Sequence, residues 1–549
     1  MKLRHLILSL CALVVMSIGC SQPTASDKTA EEPVKEWAAE DIRDIPALQA
    51  KRGLVKNTDE ATPGYVMFHA SGSTSTYIAN KEGEIVHEVE GDLSTMLSYL
   101  TDDGRFIRHE TDDDFPTFAA GGQCGRIREY TWDGEMTWNF EYATENLLTH
   151  HDLALLPNGN VLAIAWEAFT KEECIAMGID EAKLPEAGLW FDKIIEIEPT
   201  RPDGGNIVWE WRMWEHLVQD IDADKPYYGD VTNPRKVNLN PHLHKPEMPP
   251  EMIEGMKNAG LMTRNATVDN QGSDLTHLNA IFYNADLDQI AISSFYFNEI
   301  YVIDHSTTTE EASGSTGGKY GHGGDILYRW GNPQNYGRGG PEDQQLYHQH
   351  DIRWIPEGYP GAGNMMVFNN DIAGGNAQFQ DAFEALGALQ RPAIAIGELD
   401  NYSAVFELDV PDDGNGNYTL PASAAYGPEE PTWSYMAPDK HSFYAPFVSN
   451  AHRLKNGNTF INSGPRGRFF EVTPDGEIVW EYYNTYFEDF RMPDGSVPQP
   501  VGPFFFAQYR IQHLPMDHPG LAGKELNPLS PQPEPFMPPP PPPAGGDGH

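Results

Sequence analysis

Three histidines occupy equivalent places in a pattern that occurs six times along this 549-residue sequence. In each copy, one position is followed six residues later by a turn and then a second β-strand. The six positions are Met96, His151, His277, His350, Ser449 and Tyr509. Imidazoles that converge beside hydroxyl and amide groups can bind a transition metal through neutral nitrogens. They can also supply a nucleophile and hydrogen-bond donors for the transfer of an anionic group.

The metal alternative lacks the ligands that would strengthen it. Residues two apart on a strand share a face, so Asn279 accompanies His277, whereas Asp152 and Asp351 are expected to point the other way. No cysteine or carboxylate is expected beside the imidazoles, and we therefore predict no metal site. The acidic segment that begins at Asp409 lacks the spacing and closing glutamate of an EF-hand loop, which favours an ordinary acidic turn.

A second repeat shows which elements must position these residues. A turn followed by a strand that ends in aromatic residues occurs as DGEMTWNFEY, GGNIVWEWRMW, GGDILYRWGN and DGEIVWEYYN, with EGEIVHEVEG as a diverged copy. Together with the first repeat, this motif gives two hairpins per unit, and four strands make one propeller blade. We predict an all-β, six-bladed β-propeller. The stretch from His216 to Asp274 is too long for a tight connection, and we expect an excursion over one propeller face, as a lid or rim.

Six blades bring their innermost strands together around one axial channel. The residues expected to line it are His151, His277, His350, Asn279, Ser449 and Tyr509. Packing alone does not require the same unusual residue in three blades, which favours a functional site. Arg466 and Arg468, on a hairpin turn, are either a rim for anions or two solvated side chains. His150 and His452 fall on the opposite strand face and are interpreted as structural.

The two ends of the chain differ in composition from the blades. Residues 1–19 resemble a secretory signal peptide, and Cys20 resembles the lipidated cysteine of bacterial lipoproteins, although a plain signal peptide with a chance cysteine remains an alternative. We expect a lipid-anchored linker over 20–50, the propeller over 51–527 and a Pro-rich disordered tail over 528–549. The protein would face the periplasm as an exported lipoprotein, with Ser21 favouring the outer membrane.

Charge and cysteine content narrow the classes of partner. A net charge of -44 argues against nucleic acid, and an anionic substrate would need locally placed donors. The sequence has neither a P-loop nor a dinucleotide fingerprint, so no cofactor is expected. Cys124 and Cys174 form an even pair in an oxidising compartment, which is compatible with a disulfide or with two buried thiols. A homodimer is compatible with the sequence.

The longest repeat segments resemble the bacterial aryl-sulfate sulfotransferases, the nucleotide-independent ASST family. The resemblance covers roughly residues 64–521 and is most specific in HHDLALLPNGNVLAIAWE, DLTHLNAIFYNADLDQIAISS, LYHQHDIRWIPEGYPGAGNMMVFNN and LKNGNTFINSG. It implies a six-bladed propeller that moves sulfuryl groups from an aryl sulfate to a phenol without the nucleotide donor PAPS, through a sulfohistidine. By the matching motifs, His350 is the implied nucleophile. His277, Asn279 and His151 are the implied donors around it, and Ser449 lies near a hydroxyl contact.

Phe295 departs from the family pattern, which places an arginine in the strand after the His-x-Asn motif. Loss of such a charge-assisted clamp commonly costs ~3 kcal/mol of transition-state stabilisation. Protonated histidines, Arg466 or Arg468 would compensate in part, or the pocket serves another substrate. Two other functions therefore stay open beside sulfuryl transfer. One is an aryl-sulfate hydrolase, in which water replaces the phenol, and the other is a ligand-binding propeller without catalysis.

Overall fold

The computed structural model describes residues 52–70, 72–111, 117–239, 241–243, 249–258, 263–372, 402–487 and 506–535. The expected signal peptide, Cys20 and the anchored linker lie outside the described residues, as does the end of the Pro-rich tail. No helix in the described ranges is long and apolar enough to cross a membrane.

Antiparallel strands dominate the described chain. In chain order they are β1 (Gly53–Asn57), β2 (Gly64–Phe68), β3 (Ser75–Ala79), β4 (Ile85–Glu90), β5 (Thr95–Leu100), β6 (Phe106–Thr111), β7 (Gly125–Tyr130), β8 (Met136–Glu141), β9 (Leu147–Leu155), β10 (Val161–Phe169), β11 (Leu189–Pro199), β12 (Gly205–Arg212), β13 (Leu217–Val218) and β14 (Val237–Asn238). They continue as β15 (Leu278–Asn284), β16 (Gln289–Ser294), β17 (Glu299–Asp304), β18 (Tyr328–Trp330), β19 (His350–Trp354), β20 (Met365–Asn369), β21 (Ala404–Leu408), β22 (Trp433–Tyr435), β23 (Asn450–Arg453), β24 (Thr459–Ser463), β25 (Arg468–Val472), β26 (Ile478–Tyr483) and β27 (Gln512–Pro515). The short helices are α1 (Lys171–Ala176), α2 (Pro250–Asn258) and α3 (Thr309–Ala312).

Six sheets form the six blades of a β-propeller, as the repeats predict. Blades 2 to 6 take consecutive strands: β5–β8, β9–β12, β15–β18, β19–β22 and β23–β26. Blade 1 is built from both ends of the described chain, because β27 is hydrogen-bonded to β2 and forms its innermost strand. On the outer edge of blade 6, β1 pairs with β26. The ring is therefore closed by strands from the two ends of the propeller sequence.

The aromatic repeat motif forms the outermost strands, and its indoles join neighbouring blades. In five junctions, a tryptophan Nε1–H of one blade donates to a backbone carbonyl before the outermost strand of the next. The pairs are Trp138 with Gly204, Trp211 with Gly324, Trp330 with Pro428, Trp433 with Pro474 and Trp480 with Lys81, at 2.7–2.9 Å. We call these five hydrogen bonds the indole clasps. Each satisfies a polar group that would otherwise weaken a blade junction.

A histidine takes the place of the indole at the sixth junction. His87, on β4 of blade 1, has Nε2 2.9 Å from the carbonyl oxygen of Trp132, which precedes the outermost strand of blade 2. The two rings also stack, with centroids 3.8 Å apart. Burial lowers the pKa of His87 to about 4, so the imidazole is neutral and can donate from Nε2. The diverged EGEIVHEVEG copy thus keeps the hydrogen bond with a different ring.

Apolar clusters fill the spaces between adjacent blades. One cluster joins Trp211 of blade 3 to Ile290 and Tyr301 of blade 4, and another joins Tyr328 of blade 4 to Met365 of blade 5. Their members lie on alternate strand positions, which is the pattern of a strand packed on one face. The fold is therefore a ring of sheet-to-sheet contacts around an axis.

The excursion after blade 3 lies at the end of the propeller where the innermost strands begin, here called the upper face. It contains the parallel pair of β13 and β14, and Leu217 and Val237 pack into the cluster between blades 3 and 4. The start of the Pro-rich segment is also attached to a blade, since Leu529 N–H donates to Ile85 O at 2.8 Å. Ordered structure therefore extends past the expected boundary at 527 to residue 535.

Candidate active site

The three repeat histidines meet at the axis on the upper face. The ring centroids of His151 and His277 are 4.5 Å apart. The ring of Phe295 lies between those of His277 and His350. Its centroid is 5.1 Å from that of His277 and 5.3 Å from that of His350. Tyr509 closes the group 5.8 Å from His151. The structure therefore brings together the residues that the sequence repeat places at one channel.

Backbone kinks aim these side chains at the axis. His151 and His277 have φ values of 56° and 46°, and Ser449 has a φ of 90°. The innermost strands of blades 2 to 5 also change register with their neighbours near these positions. Positive φ is uncommon for residues other than glycine and persists only where the surroundings enforce it. His151 and His277 occupy such positions, and next to His350 the following residue, Asp351, does.

The same kinks make one expectation wrong. Asp351 has a φ of 60°, so strict alternation does not apply to it or to Asp152 beside His151. Both carboxylates face the axial channel and the guanidinium of Arg510. Asp152 Oδ2 lies 3.5 Å from Arg510 Nη2, and Asp351 Oδ1 lies 3.9 Å from Arg510 Nε. Carboxylates are therefore present just below the histidines.

His350 is held as a neutral imidazole with a defined tautomer. Its Nδ1 lies 2.9 Å from Asn370 Oδ1 and 3.2 Å from His348 O, so Nδ1 carries the proton. Its Nε2 accepts the backbone N–H of Val448 at 3.1 Å. Burial is the largest of the effects that bring the pKa of His350 well below its usual value, and Arg510 and His277 act in the same direction. The lone pair on Nε2 is thus available near neutral pH.

The pKa of His277 is raised, in contrast to the lowered pKa of His350. Its Nδ1 is hydrogen-bonded to Asp274, which lies at the end of the excursion, three residues earlier in the chain. Burial lowers the pKa of His277, but the Asp274 carboxylate outweighs burial and raises that pKa above its usual value. The raised pKa favours the imidazolium form of His277, which would place positive charge where the substrate would be an anion.

His151 is neutral and is supported from behind by a second histidine. Its Nδ1 is 2.7 Å from Nδ1 of His150, whose Nε2 lies 2.9 Å from Asp192 and whose ring stacks on Trp166 at 3.8 Å. Burial, followed by His277 and His150, lowers the pKa of His151 well below its usual value. With His150 donating to Asp192, His151 donates from Nδ1, and its Nε2 is a hydrogen-bond acceptor. This tautomer differs from the donor role that the family resemblance implies.

Gly122 covers the ring of His151. A Cβ at this residue would lie 2.2 Å from the imidazole, and the φ of 85° is one that glycine adopts without strain. The backbone of the loop can therefore cross directly over the ring. His151 is only 3 % exposed as a result.

Arg510 is the largest charged group at the axis, and repeat analysis did not find it. It donates to Ser449 O at 2.6 Å and to Asn279 O at 2.9 Å. With Asp152 and Asp351 nearby, it contacts groups from four other blades, which is possible only at the axis. Burial lowers the pKa of Arg510, but Tyr509 and the two carboxylates together raise it above its usual value. The sequence signal that could have identified Arg510 is its place directly after Tyr509, one of the six repeat positions.

The other predicted lining residues are bound to the backbone. Tyr509 donates its hydroxyl to Asn279 O, and Asn279 Nδ2 donates to Gln349 O at 2.8 Å. The hydroxyl of Ser449 accepts the N–H of Gly464 at 3.0 Å. The first bond joins blades 1 and 4 across the axis, the second joins adjacent blades 4 and 5, and the third lies within blade 6. All three residues are fully buried or nearly so. His452 lies elsewhere, in the wall of a cavity of about 410 Å³ at the opposite end of the axis, with Trp354, Tyr359 and His513.

The two arginines of the GPRGRFF turn are not solvated. Arg466 and Arg468 are 6 % and 9 % exposed, and Arg468 forms an ion pair with Glu481 at 2.7 Å. Burial and the neighbouring Arg468 lower the pKa of Arg466 to about 10. Both lie on the upper face of blade 6, and no contact joins them to the histidines within the described ranges.

The two cysteines do not form the disulfide that the sequence allowed. Both are free and buried. Cys124 follows the loop that covers His151, and its Sγ lies 3.4 Å from Gly122 O. Cys174 is in α1 and packs in the cluster between blades 3 and 4. Burial raises the pKa of both thiols.

Sequence reasoning also missed the partners of the histidines. Asp274 and Asn370 lie at the edges of the quoted repeat segments, away from the six equivalent positions, and His348 lies two residues before His350. Among the described residues, no group of three or more His, Cys, Asp or Glu side chains has a metal-binding arrangement. The site combines an unprotonated nitrogen nucleophile, a neighbouring imidazolium and an aromatic wall at Phe295. These groups suit the transfer of an anionic group from an aromatic ester.

A family comparison agrees with this chemistry. The sequence model of the family described as Arylsulfotransferase (ASST) matches residues 51–488, which is most of the chain. The chain belongs to the arylsulfotransferase family. Membership supports an aryl sulfotransferase activity in general. No curated protein matches the sequence.

Several solved structures are distantly similar to the chain. A Bacteroides caccae protein of unknown function is 12% identical, with a TM-score of 0.37, over 77% of this chain and 95% of the other. The Cps50 (Swd1) β-propeller domain of Myceliophteria thermophila is 7% identical, with a TM-score of 0.34, over 78% of this chain and 89% of the other. Apo AztD from Citrobacter koseri is 7% identical, with a TM-score of 0.32, over 82% and 98%. These likenesses carry no argument about the arylsulfotransferase site.

Proposed function

We propose that this arylsulfotransferase moves a sulfuryl group from an aryl sulfate to a phenol through a sulfohistidine at His350, without PAPS. The observation that carries the proposal is the environment of His350. Its Nδ1 proton is held by Asn370 Oδ1 and His348 O, and His277 is near enough for its charge to lower the pKa of His350. A neutral nucleophile next to a fixed positive charge is what attack on a sulfate monoester requires.

In the first half-reaction, the lone pair of His350 Nε2 attacks sulfur and an N–S bond forms. The bond between sulfur and the aryl oxygen breaks, and its electron pair leaves on that oxygen. Because His350 keeps its Nδ1 proton, the intermediate carries imidazolium charge, which the two carbonyl acceptors at Nδ1 stabilise. In the second half-reaction, a phenol oxygen attacks sulfur and the N–S electron pair returns to His350.

Two groups are placed to stabilise the sulfuryl oxygens. The first is the imidazolium of His277, which Asp274 keeps charged. The second is the N–H of Val448, which donates to Nε2 at 3.1 Å and loses that acceptor when the N–S bond forms. Asn370 Nδ2 donates to Val448 O at 3.1 Å and holds the peptide that follows this N–H. An amide so held would then donate to the transferred group.

Phe295 changes how the charge is supplied. Where the family pattern has an arginine, the Phe295 ring contacts His277 and His350 and excludes water from both. An ion interacts more strongly in such a low-dielectric environment. The proposal therefore assigns to His277 the positive charge that an arginine would otherwise provide.

Rapid quenching with mass spectrometry tests the nucleophile. The protein is mixed with 4-nitrophenyl sulfate, quenched and digested, and we expect a sulfuryl adduct on the peptide that contains His350. His350→Ala should lose the adduct and at least on the order of 10³-fold in kcat. His452→Ala, a histidine at the other end of the axis, is the matched control and should keep both. Undiminished turnover in His350→Ala would contradict the mechanism.

The acceptor is tested by product analysis with and without added phenol. Phenol-dependent release of 4-nitrophenol, with an equal amount of new aryl sulfate, is expected for transfer. Release of inorganic sulfate at the same rate in both conditions would show a hydrolase. No turnover of any aryl sulfate by the folded protein would favour a binding propeller.

We further propose that the protein is exported and anchored to the periplasmic side of a membrane through a lipid on Cys20. The support is the sequence of residues 1–20, with its charged start, apolar run and terminal cysteine. Labelling of cells with a radioactive fatty acid should mark the protein and not Cys20→Ser. A label that persists in Cys20→Ser would argue against this anchor.

A further inference from the structure

His348 lies beside the proposed nucleophile but belongs to none of the roles above. Its carbonyl oxygen accepts the Nδ1 proton of His350 at 3.2 Å, and its own φ of 55° turns its side chain away from the strand direction. The His348 ring meets Phe295, with centroids 4.9 Å apart. Phe295 therefore contacts both His348 and His350. The two histidines border the same aromatic wall.

One dipeptide orients both histidines but gives them different partners. Asn370 Oδ1 lies 2.9 Å from His350 Nδ1, and Asp371 Oδ2 lies 2.7 Å from His348 Nδ1. Nε2 of His350 then accepts the N–H of Val448, whereas Nε2 of His348 is left for chemistry. The neutral amide gives His350 no charge with which to stabilise a second proton. The carboxylate of Asp371 accepts the Nδ1 proton of His348 and fixes the orientation of that ring.

Exposure separates His348 from the other histidines. Its side chain is 16 % exposed, and within the described ranges its Nε2 has no hydrogen-bond partner. His151 is 3 % exposed beneath Gly122. His277 is already hydrogen-bonded to Asp274 through Nδ1. A group that passes protons between phenols must reach both the aryl oxygen and solvent. His348 meets these requirements best.

We propose that His348 is the general acid and base of the reaction and that Asp371 is its positioning residue, an inference that rests on the proposed function. When the bond from sulfur to the aryl oxygen breaks, His348 Nε2–H gives its proton to that oxygen, and a neutral phenol leaves. Neutral His348 then takes the proton of the acceptor phenol as that oxygen attacks sulfur and the N–S bond breaks. The proton and both electron pairs are thereby returned at the end of one cycle.

A leaving-group series tests this role. A good leaving group such as 4-nitrophenolate needs little protonation, whereas phenolate and 4-methylphenolate need it strongly. We expect His348→Gln to lower the rate of His350 sulfation on the order of 10²-fold or more with 4-methylphenyl sulfate. With 4-nitrophenyl sulfate, the loss should be only several-fold. Asp371→Asn should show the same dependence on leaving group with smaller losses.

Matched variants separate this role from structural damage. His322→Gln, in the loop before β18, should behave like wild type with every ester. Thermal unfolding reports whether His348→Gln is folded. Equal losses across all leaving groups would overturn the proposal, as would a stronger leaving-group dependence in His151→Gln than in His348→Gln. If wild type forms no adduct on His350, the proposed function itself fails, and that result is distinct from an adduct without leaving-group dependence.

Discussion

The outer rim and the axis of this propeller are built in contrasting ways. At the rim, five junctions use the same indole clasp, and the sixth substitutes the imidazole of His87. At the axis, the equivalent positions hold methionine, histidine, serine and tyrosine, and each histidine has a different partner. His350 has an amide, His277 a carboxylate and His151 another imidazole. Repetition at the rim stabilises the ring, and variation at the axis lowers the pKa of His350 and His151 and raises the pKa of His277.

Removal of the axial cation should have the largest effect. Arg510→Met leaves the buried Asp152 and Asp351 without their shared cation, and breaking such a buried group costs about 3–5 kcal/mol. We expect the free energy of unfolding, measured in urea, to fall by this amount. Arg510→Lys should recover part of it, because the charge returns without the forked donor. Unchanged stability in Arg510→Met would show that the axis is not held by this cluster.

The next effect concerns charge at His277. The pKa of His277 is raised, so the imidazolium is present below that pKa and is lost as the pH rises through it. In Asp274→Asn, burial lowers the pKa of His277 and only the smaller effect of Asp192 opposes it, so the alkaline limb of kcat/KM should move to lower pH. Above neutral pH, we expect a loss of at least about tenfold, since one pKa unit corresponds to tenfold in protonation.

Asp274→Glu serves as the control for that shift and should keep the alkaline limb near its wild-type position. The acid limb should remain well below the ordinary pKa of histidine in all three proteins, because the pKa of His350 is strongly lowered. An alkaline limb that does not move in Asp274→Asn would remove His277 from the mechanism.

A single clasp at the rim should matter less. Trp480→Phe deletes the hydrogen bond to Lys81 O at 2.9 Å but keeps most of the ring packing. The expected decrease in unfolding free energy is about 1 kcal/mol, with kcat unchanged. Trp138→Phe at another junction should give a similar value. A large change in kcat in either variant would contradict the separation of rim and axis.

The smallest effect is expected at the sixth junction. The folded-state pKa of His87 is lowered to about 4, so its stabilising effect is complete above the unfolded pKa of about 6.5 and is lost as the pH falls towards 4. In His87→Trp that loss is absent. The difference in Tm between this variant and wild type should therefore shift in favour of the variant between pH 7 and pH 5. A pH-independent difference would argue against titration of this clasp.

The sequence predicted the fold better than the site. Six repeats and the outer aromatic motif suffice for the blade count, because alternation and turns are local properties. The direction of the Asp152 and Asp351 side chains was predicted wrongly. Positive φ values at His151 and Asp351 interrupt the alternation of side chains along the inner strands. Asp274, Asn370 and Asp371 were missed because they lie just before or just after a strand, where alternation does not predict the direction of a side chain. A search for histidine at i and i+2 would have found His348 beside His350.

The closure of blade 1 has a consequence for biosynthesis. Because β27 is the last strand of the propeller sequence, Tyr509 and Arg510 are among the last residues of the folded ring to be made. A growing chain therefore has all three repeat histidines long before it has the cation that joins their blades. A chain that terminates before residue 510 lacks the central guanidinium. The axis is therefore complete only after the chain has been made through Arg510.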